Sequence, residues 1–163
     1  MSDENKSEWT SPSVEECVAM LKSGPEGVEK WNAMREAHPA WKPDLNRQDL
    51  SHVDFFYGNL SNANLSNANL SGADLSGADL SNANLKGADL SRADLSEADL
   101  SGADLSKADL SWANFTLACL AEALFAEART IGVNWWCVNI AGAKGLKSTT
   151  VELILATIRD SLG

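Results

Sequence analysis

Large and small apolar residues alternate with polar ones along most of this chain, with a period of five. Fourteen alanines recur at every fifth position from Ala63 to Ala128, and each is followed two residues later by leucine or phenylalanine as far as Phe125. No α-helix repeats every five residues, and a strand repeats every two. An exact, short period is typical of a solenoid, in which each repeat buries its apolar face only against neighbouring repeats.

The leucine position marks the centre of each repeat. Centres fall at every fifth residue from Leu45 to Phe125, and the pattern breaks at Thr130 before Trp135 and Ile140 resume it. Asp or Asn usually precedes the centre, Ser usually follows it, and the fifth position varies freely. We therefore expect the centre and the alanine to point into a core and the other three positions to point outward.

The repeats resemble a known protein family. The stretch from Ala63-Asn64-Leu65-Ser66-Asn67 to Ala108-Asp109-Leu110-Ser111-Trp112 is similar to the pentapeptide-repeat consensus A(D/N)LSX, and the likeness covers about two-thirds of the chain. This resemblance implies an all-β solenoid, a right-handed quadrilateral β-helix with four pentapeptides per coil. About five coils are then expected, which at ~4.8 Å per coil give a rod ~24 Å long.

Helical patterns flank the repeats. Ser11-Pro12 predicts the start of a first helix with one apolar stripe, and Gly24-Pro25 predicts the start of a second helix that His38-Pro39 ends. Ser148 or Thr149 is expected to cap a last helix, whose apolar stripe is Val151, Ile154, Leu155, Ile158 and Leu162. The predicted organisation is an N-terminal helical cap over 1–42, a β-helix over 43–145 and a C-terminal helix over 146–163, which serves as a cap or a dimer contact.

Charge and composition exclude several classes of partner. The net charge of −10 and the pI near 4.5 argue against direct binding to nucleic acid or to an anionic membrane. No apolar run approaches the length of a membrane span, and the polar N-terminus shows no signal-peptide pattern. Cys17, Cys119 and Cys137 lack metal-ligand spacing, so we expect reduced thiols and a cytoplasmic protein.

Catalytic and metal sites are not expected. Ser51, His52 and Asp54 resemble a triad only in sequence, because adjacent positions project in different directions and no oxyanion-hole motif accompanies them. A single column of aspartates supplies too few ligands for calcium. We therefore predict a non-enzymatic protein with no catalytic residue, cofactor or metal.

Stacked carboxylates form the first candidate binding surface. Coils of four repeats align residues that are twenty apart, so the residues before the centres form columns. Like charges one coil apart repel, whereas asparagine would stack without that cost, so these aspartates serve either solubility or a partner. The candidate partner-binding acids are Asp54, Asp74, Asp94, Asp79, Asp99, Asp89 and Asp109.

Outward apolar residues form the second candidate. They concentrate in the last coils and on the last helix, and such patches usually mark an interface. The alternative is that the C-terminal helix folds back and covers them. We predict a homodimer joined near the C-termini through Trp112, Leu117, Leu124, Ile131, Trp136, Ile154 and Ile158.

The predicted function is that of a protein-binding or scaffold module with an unidentified protein partner. The alternative comes from the resemblance, since the quinolone-resistance members of the family mimic B-form DNA and occupy the DNA saddle of gyrase, a type II topoisomerase. Thirteen Asp and Glu against six Lys and Arg give the repeats a balance of −7. Over ~24 Å this is roughly half the linear charge density of duplex DNA.

Overall fold

The computed structural model describes residues 9–162, except for the side chains of Ile158, Ser161 and Leu162. Helices α1 (Val14–Leu21) and α2 (Pro25–Ala37) precede the repeats, and α3 (Ser148–Leu162) follows them. Between α2 and α3 the described backbone forms single-residue parallel bridges rather than longer strands. The repeats therefore lie between two helical ends.

Every bridge joins a residue to the one twenty positions later. The first bridge pairs Asp44 with Asn64, and the last pairs Leu124 with Lys144. Around the first bridge, Leu45 N donates to Asn64 O at 2.8 Å and Asn64 N donates to Pro43 O at 2.8 Å. Because the backbone returns to register every twenty residues, four repeats make one turn, and the bridged residues form four columns.

We name the four sides of the solenoid by their bridged columns. Side 1 consists of Asp44, Asn64, Asn84, Asp104, Leu124 and Lys144. Side 2 consists of Asp49, Asn69, Asp89, Asp109 and Arg129. Side 3 consists of Asp54, Asp74, Asp94, Asn114 and Asn134. Side 4 consists of Asn59, Asp79, Asp99, Cys119 and Asn139. The two residues after each centre form the corner to the next side, and sides 1 and 3 are opposite each other.

The core follows the predicted inward positions. The centres from Leu45 to Leu120 are fully buried, and so are the alanines between them. A larger centre is matched by a smaller neighbour. Gly58 stands where most repeats have alanine, and a Cβ atom there would lie 2.7 Å from the ring of Phe55. Near the end of the solenoid, the rings of Phe115 and Trp135 stack with centroids 5.3 Å apart. One continuous column of side chains thus fills the interior.

Helix α2 closes the N-terminal end of the solenoid. Trp31 is fully buried, and its Nε1 donates to Asn59 O at 2.7 Å. Asn32 Oδ1 accepts from Asn59 N at 2.8 Å, and Arg35 Nη2 donates to Ser61 O at 2.7 Å. In later coils the equivalent backbone groups are bonded to a preceding coil, as Asp79 N is to Gly58 O at 3.0 Å. The side chains of α2 therefore replace a missing coil.

The start of α1 corrects one prediction. Ser13 is the N-cap, its Oγ accepts from Glu16 N at 3.2 Å, and Glu16 Oε2 accepts from Ser13 N at 2.8 Å. This reciprocal capping box fixes the helix start at Val14, so the predicted start at Ser11-Pro12 is wrong. The predicted start of the second helix is confirmed, since Pro25 is its first residue and Gly24 its N-cap with φ of 79°.

Helix α3 closes the C-terminal end. Ile154 is fully buried and belongs to the same core as Phe125 and Trp135. Thr157 Oγ1 donates to Ile154 O at 2.8 Å and lies 3.3 Å from Trp135 O. Ile154 was predicted to belong to an exposed interface, and this is wrong because the last coil leaves core side chains that the helix covers.

Candidate functional site

The Asp and Asn residues before the centres have a structural task in the turn that follows. Asp74 Oδ1 accepts from Ser76 N at 3.0 Å and from Ser76 Oγ at 2.5 Å. Asn64 Oδ1 accepts from Ser66 N at 3.2 Å and from Ser66 Oγ at 2.8 Å. A side-chain oxygen that bonds the backbone two residues on stabilises a turn, and Asp and Asn supply it equally well. These turns therefore use the side-chain oxygen and do not need the negative charge.

The fifth position is also constrained, which corrects the expectation that it varies freely. Every fifth residue from Arg47 to Gly142 has a φ between 52° and 71°. Gly and Asn tolerate this left-handed conformation best, and no β-branched residue occupies any of these positions. Several glycines here also lie under a side chain of the preceding coil: a Cβ at Gly132 would come within 2.5 Å of the Trp112 ring.

Most of the predicted acids form one surface. Sides 3 and 4 and the corner between them carry six carboxylates and no lysine or arginine within residues 43–145, all of which the structure describes. We call this the acidic surface, and it consists of Asp54, Asp74, Asp79, Asp94, Glu97 and Asp99. The basic residues of the repeats lie elsewhere: Arg47, Lys86 and Lys107 at the corner of sides 1 and 2, Arg92 at the corner of sides 2 and 3, Arg129 on side 2 and Lys144 on side 1.

Two of the predicted acids lie apart from this surface. Asp89 and Asp109 belong to side 2, where Arg129 Nη1 lies 3.1 Å from Asp109 Oδ2. Burial raises the pKa of Asp109, but hydrogen bonds from Ser111 and the charge of Arg129 outweigh it, so the net shift of the pKa is downward. The charge of Asp109 is thus partly compensated within the chain, and its role in binding a partner stays a prediction.

Four of the predicted apolar residues also come together. Trp112 and Ile131 lie at the corner of sides 2 and 3, and Leu117 and Trp136 lie at the corner of sides 3 and 4. Their side chains are between 48% and 63% exposed, so α3 does not cover them. Between the two corners, Asn134 Nδ2 donates to Asn114 Oδ1 at 3.0 Å. We call these four residues the apolar cluster, and neither 111–117 nor 131–137 contains a charged residue.

The other predicted interface residues do not join the apolar cluster. Leu124 lies on side 1, which is opposite side 3, because twenty-residue coils place it in the column of Asp104. Ile154 is buried under the last coil, and the side chain of Ile158 lies outside the described residues. The prediction of one interface is therefore wrong, because its residues do not all lie on one exposed surface. The register of twenty residues could have separated Leu124 at the sequence level.

Two residues of the triad-like sequence have a structural task. Ser51 Oγ donates to Asp49 Oδ1 at 2.7 Å, and Asp54 Oδ1 accepts from Phe56 N at 3.1 Å, so these polar groups serve turns. Among residues 9–162, no three His, Cys, Asp or Glu side chains are grouped to hold a metal ion. None of the described helices is long and apolar enough to cross a membrane.

The three cysteines are free thiols in the structure. Cys17 is buried where α1 packs on the core, whereas Cys119 and Cys137 are half-buried in the last coils. Burial, and then the nearby Glu16 carboxylate, raises the pKa of the Cys17 thiol. A buried thiol with a raised pKa is a poor nucleophile, so Cys17 acts as a core residue.

Solved structures resemble this chain. Rfr23, a pentapeptide-repeat protein from the cyanobacterium Cyanothece, is 28% identical over 73% of this chain and 96% of its own, with a TM-score of 0.53. A pentapeptide-repeat protein from the Arabidopsis thaliana thylakoid lumen is 30% identical over 71% of this chain and 76% of its own, with a TM-score of 0.49. QnrB1, a plasmid-mediated fluoroquinolone resistance protein, is 16% identical over 71% of this chain and 83% of its own, with a TM-score of 0.29, which is too low for an argument about function.

The sequence itself matches a family model. None of the curated proteins compared with this chain matches it. The model for pentapeptide repeats matches residues 49–87 and 83–121, with eight copies of the repeat. These are the residues whose leucines and alanines fill the interior of the solenoid. The chain belongs to the pentapeptide-repeat family.

Proposed function

We propose that this protein is a non-enzymatic binding module and that its partner is a protein with a basic surface. The observation that supports the proposal is the acidic surface, where six carboxylates on two adjoining sides and their corner face solvent without a lysine or arginine among the repeats. Charges of one sign that are gathered on one surface attract a partner of the opposite sign over a Debye length of ~10 Å at 0.1 M salt.

The fold does not explain this distribution of charge. Asn64 and Asn69 make the same turn hydrogen bonds as Asp74 does. Stacked asparagines also bond each other or a neighbouring carboxylate, as Asn64 Nδ2 does with Asp44 Oδ1 at 2.8 Å. Asparagine at the acidic positions would keep the turn and remove the repulsion between coils. Asp79 also interacts through its charge with the buried Arg35 of α2. The other carboxylates of the acidic surface therefore act outside the fold, in solubility or in binding.

A second candidate function is mimicry of DNA toward a type II topoisomerase such as gyrase. The acidic surface favours it, because Asp54, Asp74 and Asp94 form a line of charge along the axis with a spacing of ~4.8 Å. In this candidate the β-helix winds right-handed through about five coils and has a length of ~24 Å. The protein acts in the cytoplasm, where such a partner is present.

The first test removes three charges from the acidic surface and leaves the turn chemistry intact. The variant combines Asp74→Asn, Asp94→Asn and Asp99→Asn. Its matched control combines Asp44→Asn, Asp89→Asn and Asp104→Asn, which removes three charges from sides 1 and 2. A partner captured by the wild type from the native cell and identified by mass spectrometry should lose affinity for the first variant much more than for the control. Its binding should also weaken with added salt.

The mimicry candidate has its own measurement. Supercoiling by purified gyrase is followed with increasing amounts of the protein at two salt concentrations, with and without a quinolone. An effect that the Asp74, Asp94 and Asp99 variant loses and the control variant keeps would support mimicry. If gyrase and its inhibition by the quinolone are unchanged, the mimicry candidate is wrong and the binding module remains.

A further inference from the structure

We propose that the groove between α2 and the first coil binds an arginine side chain of a protein partner. The proposal rests on the proposed function for the source of this arginine, because Asp54 belongs to the acidic surface and also lines the groove. The guanidinium lies against the rings of Phe56 and Tyr57. Its charge is balanced by the carboxylates of Glu29 and Asp54.

The groove has one helical wall and one wall from the solenoid. Glu29 and Asn32 belong to the wall from α2, and Asp54, Phe56 and Tyr57 belong to side 3 and its corner with side 4. Asn32 Nδ2 donates to Tyr57 O at 3.0 Å, so the two walls are held together. The volume is about 260 Å³. Pockets for small-molecule ligands begin at about 300 Å³, so this groove suits one side chain rather than a whole ligand.

The two aromatic residues of the groove are not explained by the fold. Phe56 follows its centre, where the repeats usually have serine. Tyr57 has a φ of 52°, which Asn and Gly adopt with less strain. Both side chains are more than half exposed, so burial in the monomer does not compensate for this strain. One coil further on, a Cβ atom at Gly77 would lie 2.5 Å from the Tyr57 ring, so the ring uses space that only glycine leaves.

Rings and carboxylates together favour a guanidinium. The centroids of the Phe56 and Tyr57 rings are 4.3 Å apart and their planes meet at 70°, so the rings form a corner. A cation within about 6 Å of such a ring is attracted to its face. An arginine also donates hydrogen bonds to carboxylates from the same flat group, whereas the ammonium of lysine is more strongly hydrated.

The charges around the groove leave its carboxylates to a cation from outside. Among the described residues, none that lines the groove is basic, and neither Glu29 nor Asp54 forms an ion pair. Lys22 and His52 line an adjoining groove that shares Asp54, but Lys22 Nζ lies 3.8 Å from Asp49 Oδ2. The groove therefore presents two carboxylates beside two rings, which is complementary to an arginine in both charge and shape.

The single tyrosine of the chain makes binding in the groove directly observable. With isotope-labelled tyrosine, the NMR ring signals of the full chain come from Tyr57 alone. The probe is the blocked tripeptide acetyl-Gly-Arg-Gly-amide, which should shift these signals with a Kd of about 1 mM. The same tripeptide with citrulline keeps the shape and loses the charge, so it should bind at least about fivefold more weakly. The lysine tripeptide should also bind more weakly than the arginine tripeptide.

One pair of variants tests the carboxylates. Glu29→Gln with Asp54→Asn removes both charges from the groove and keeps the oxygen that Asp54 supplies to its turn. The matched control is Glu36→Gln with Asp104→Asn, which removes one charge from α2 and one from side 1. The first variant should bind the arginine tripeptide at least about threefold more weakly, and the control should stay within about twofold of the wild type.

A second pair of variants tests the aromatic corner. Phe56→Ser removes one ring, keeps Tyr57 as the reporter and introduces the residue that the repeats usually have. Trp112→Asn is the control, since it removes an exposed ring from the other end of the solenoid. Phe56→Ser should weaken binding of the arginine tripeptide at least about twofold to threefold, whereas Trp112→Asn should leave it unchanged. Thermal unfolding checks that every variant folds.

Several results would overturn the proposal. They are Tyr57 signals that stay unchanged at about 10 mM tripeptide, tenfold above the expected Kd, or equal losses in a groove variant and its control. A Lys6→Gln variant whose Tyr57 signals move as far as saturating tripeptide moves them would show that a cation of the chain itself fills the groove. The variant with Asp74→Asn, Asp94→Asn and Asp99→Asn should bind the tripeptide as the wild type does. Since that variant tests the proposed function through a captured partner, the two proposals fail separately.

Discussion

The turn between repeats is the smallest unit that the sequence specifies here. In the turn after Leu90, Asp89 Oδ1 accepts from Ser91 N at 2.9 Å, and Ala93 N donates to Leu90 O at 3.1 Å. Arg92, the third residue of this turn, has a φ of 60°. Positive φ at that position is what a type II turn requires. The consensus thus describes a turn as well as a core.

A substitution at Arg92 tests this constraint. Arg92→Val should destabilise the fold by ~1–2 kcal/mol, because a β-branched side chain clashes with the backbone at positive φ. Arg92→Asn should be neutral or stabilise it by up to ~1 kcal/mol. The measurement is the free energy of unfolding in urea. Ser91→Val is the matched control, since Ile131 occupies the equivalent place two coils later, and it should change stability by less than ~0.5 kcal/mol. Equal losses for both valine variants would contradict the turn argument.

Part of the repeat's structure could be predicted from the sequence. The inward leucines and alanines were predictable, because a fixed apolar position has no other explanation in a five-residue period. The left-handed turn was signalled by recurrent Asn and Gly, as in Asn62, Asn67 and Gly72, and by the absence of β-branched residues. Charged and aromatic residues at the same position obscured this signal. They are tolerated there because the turn hydrogen bonds hold the backbone at positive φ and the side chain is exposed.

At the level of elements, helix α2 stabilises the first coil through specific hydrogen bonds as well as through burial. Asn32 is the clearest case, because its Oδ1 accepts from Asn59 N at 2.8 Å and its Nδ2 donates to Tyr57 O at 3.0 Å. One amide side chain thus bonds two backbone groups at the edge of the solenoid. Such groups otherwise form an open edge that promotes aggregation.

Asn32→Ala should therefore destabilise the protein by about 1–2 kcal/mol, since it leaves two backbone groups without their partners. Asn32→Asp keeps the acceptor and loses the donor, so its loss should be smaller. Thermal or urea unfolding measures both. Lys30→Ala, on the exposed part of the same helix, is the control and should change stability by less than ~0.5 kcal/mol. An Asn32→Ala variant as stable as the control would show that α2 caps by burial alone.

The helices themselves were predictable, but their contacts with the coils were not. The S-x-x-E pattern of Ser13 and Glu16 is a sequence signal that would have placed the start of α1 correctly. The burial of Ile154 has no comparable signal. An apolar stripe shows that a helix covers something, and only the three-dimensional path of the last coil decides which of its residues enter the core.

At the level of the whole molecule, a register of twenty residues sorts charge and apolar surface onto different sides. Lys86 and Lys107 lie at the corner of sides 1 and 2, while Glu97 lies at the corner of sides 3 and 4. A period of five alone cannot show this, because it fixes which positions point outward and not which of them are neighbours. The sorted charges support the proposed function, since the acidic surface attracts a basic partner.

The sorted charges also carry a cost to stability that can be measured on the monomer. Asp74 lies between Asp54 and Asp94 on side 3, so two carboxylates flank it at one coil's distance. Asp104 has Asn84 and Leu124 as its neighbours on side 1. Like charges ~4.8 Å apart repel by just under ~1 kcal/mol at the dielectric constant of water, and salt reduces this further. Asp74→Asn keeps the turn hydrogen bond and removes both repulsive pairs.

Asp74→Asn should therefore raise the free energy of unfolding by a few tenths of a kcal/mol to ~1 kcal/mol at low salt, and by less at about 0.5 M salt. Asp104→Asn removes one charge from an equivalent turn without an acidic neighbour, so it should change stability little at either salt. Urea unfolding of the two variants at both salts measures the difference. If Asp104→Asn stabilises the protein as much as Asp74→Asn, the gain in stability comes from the lower total charge. The stacking of carboxylates on side 3 would then cost no stability of its own.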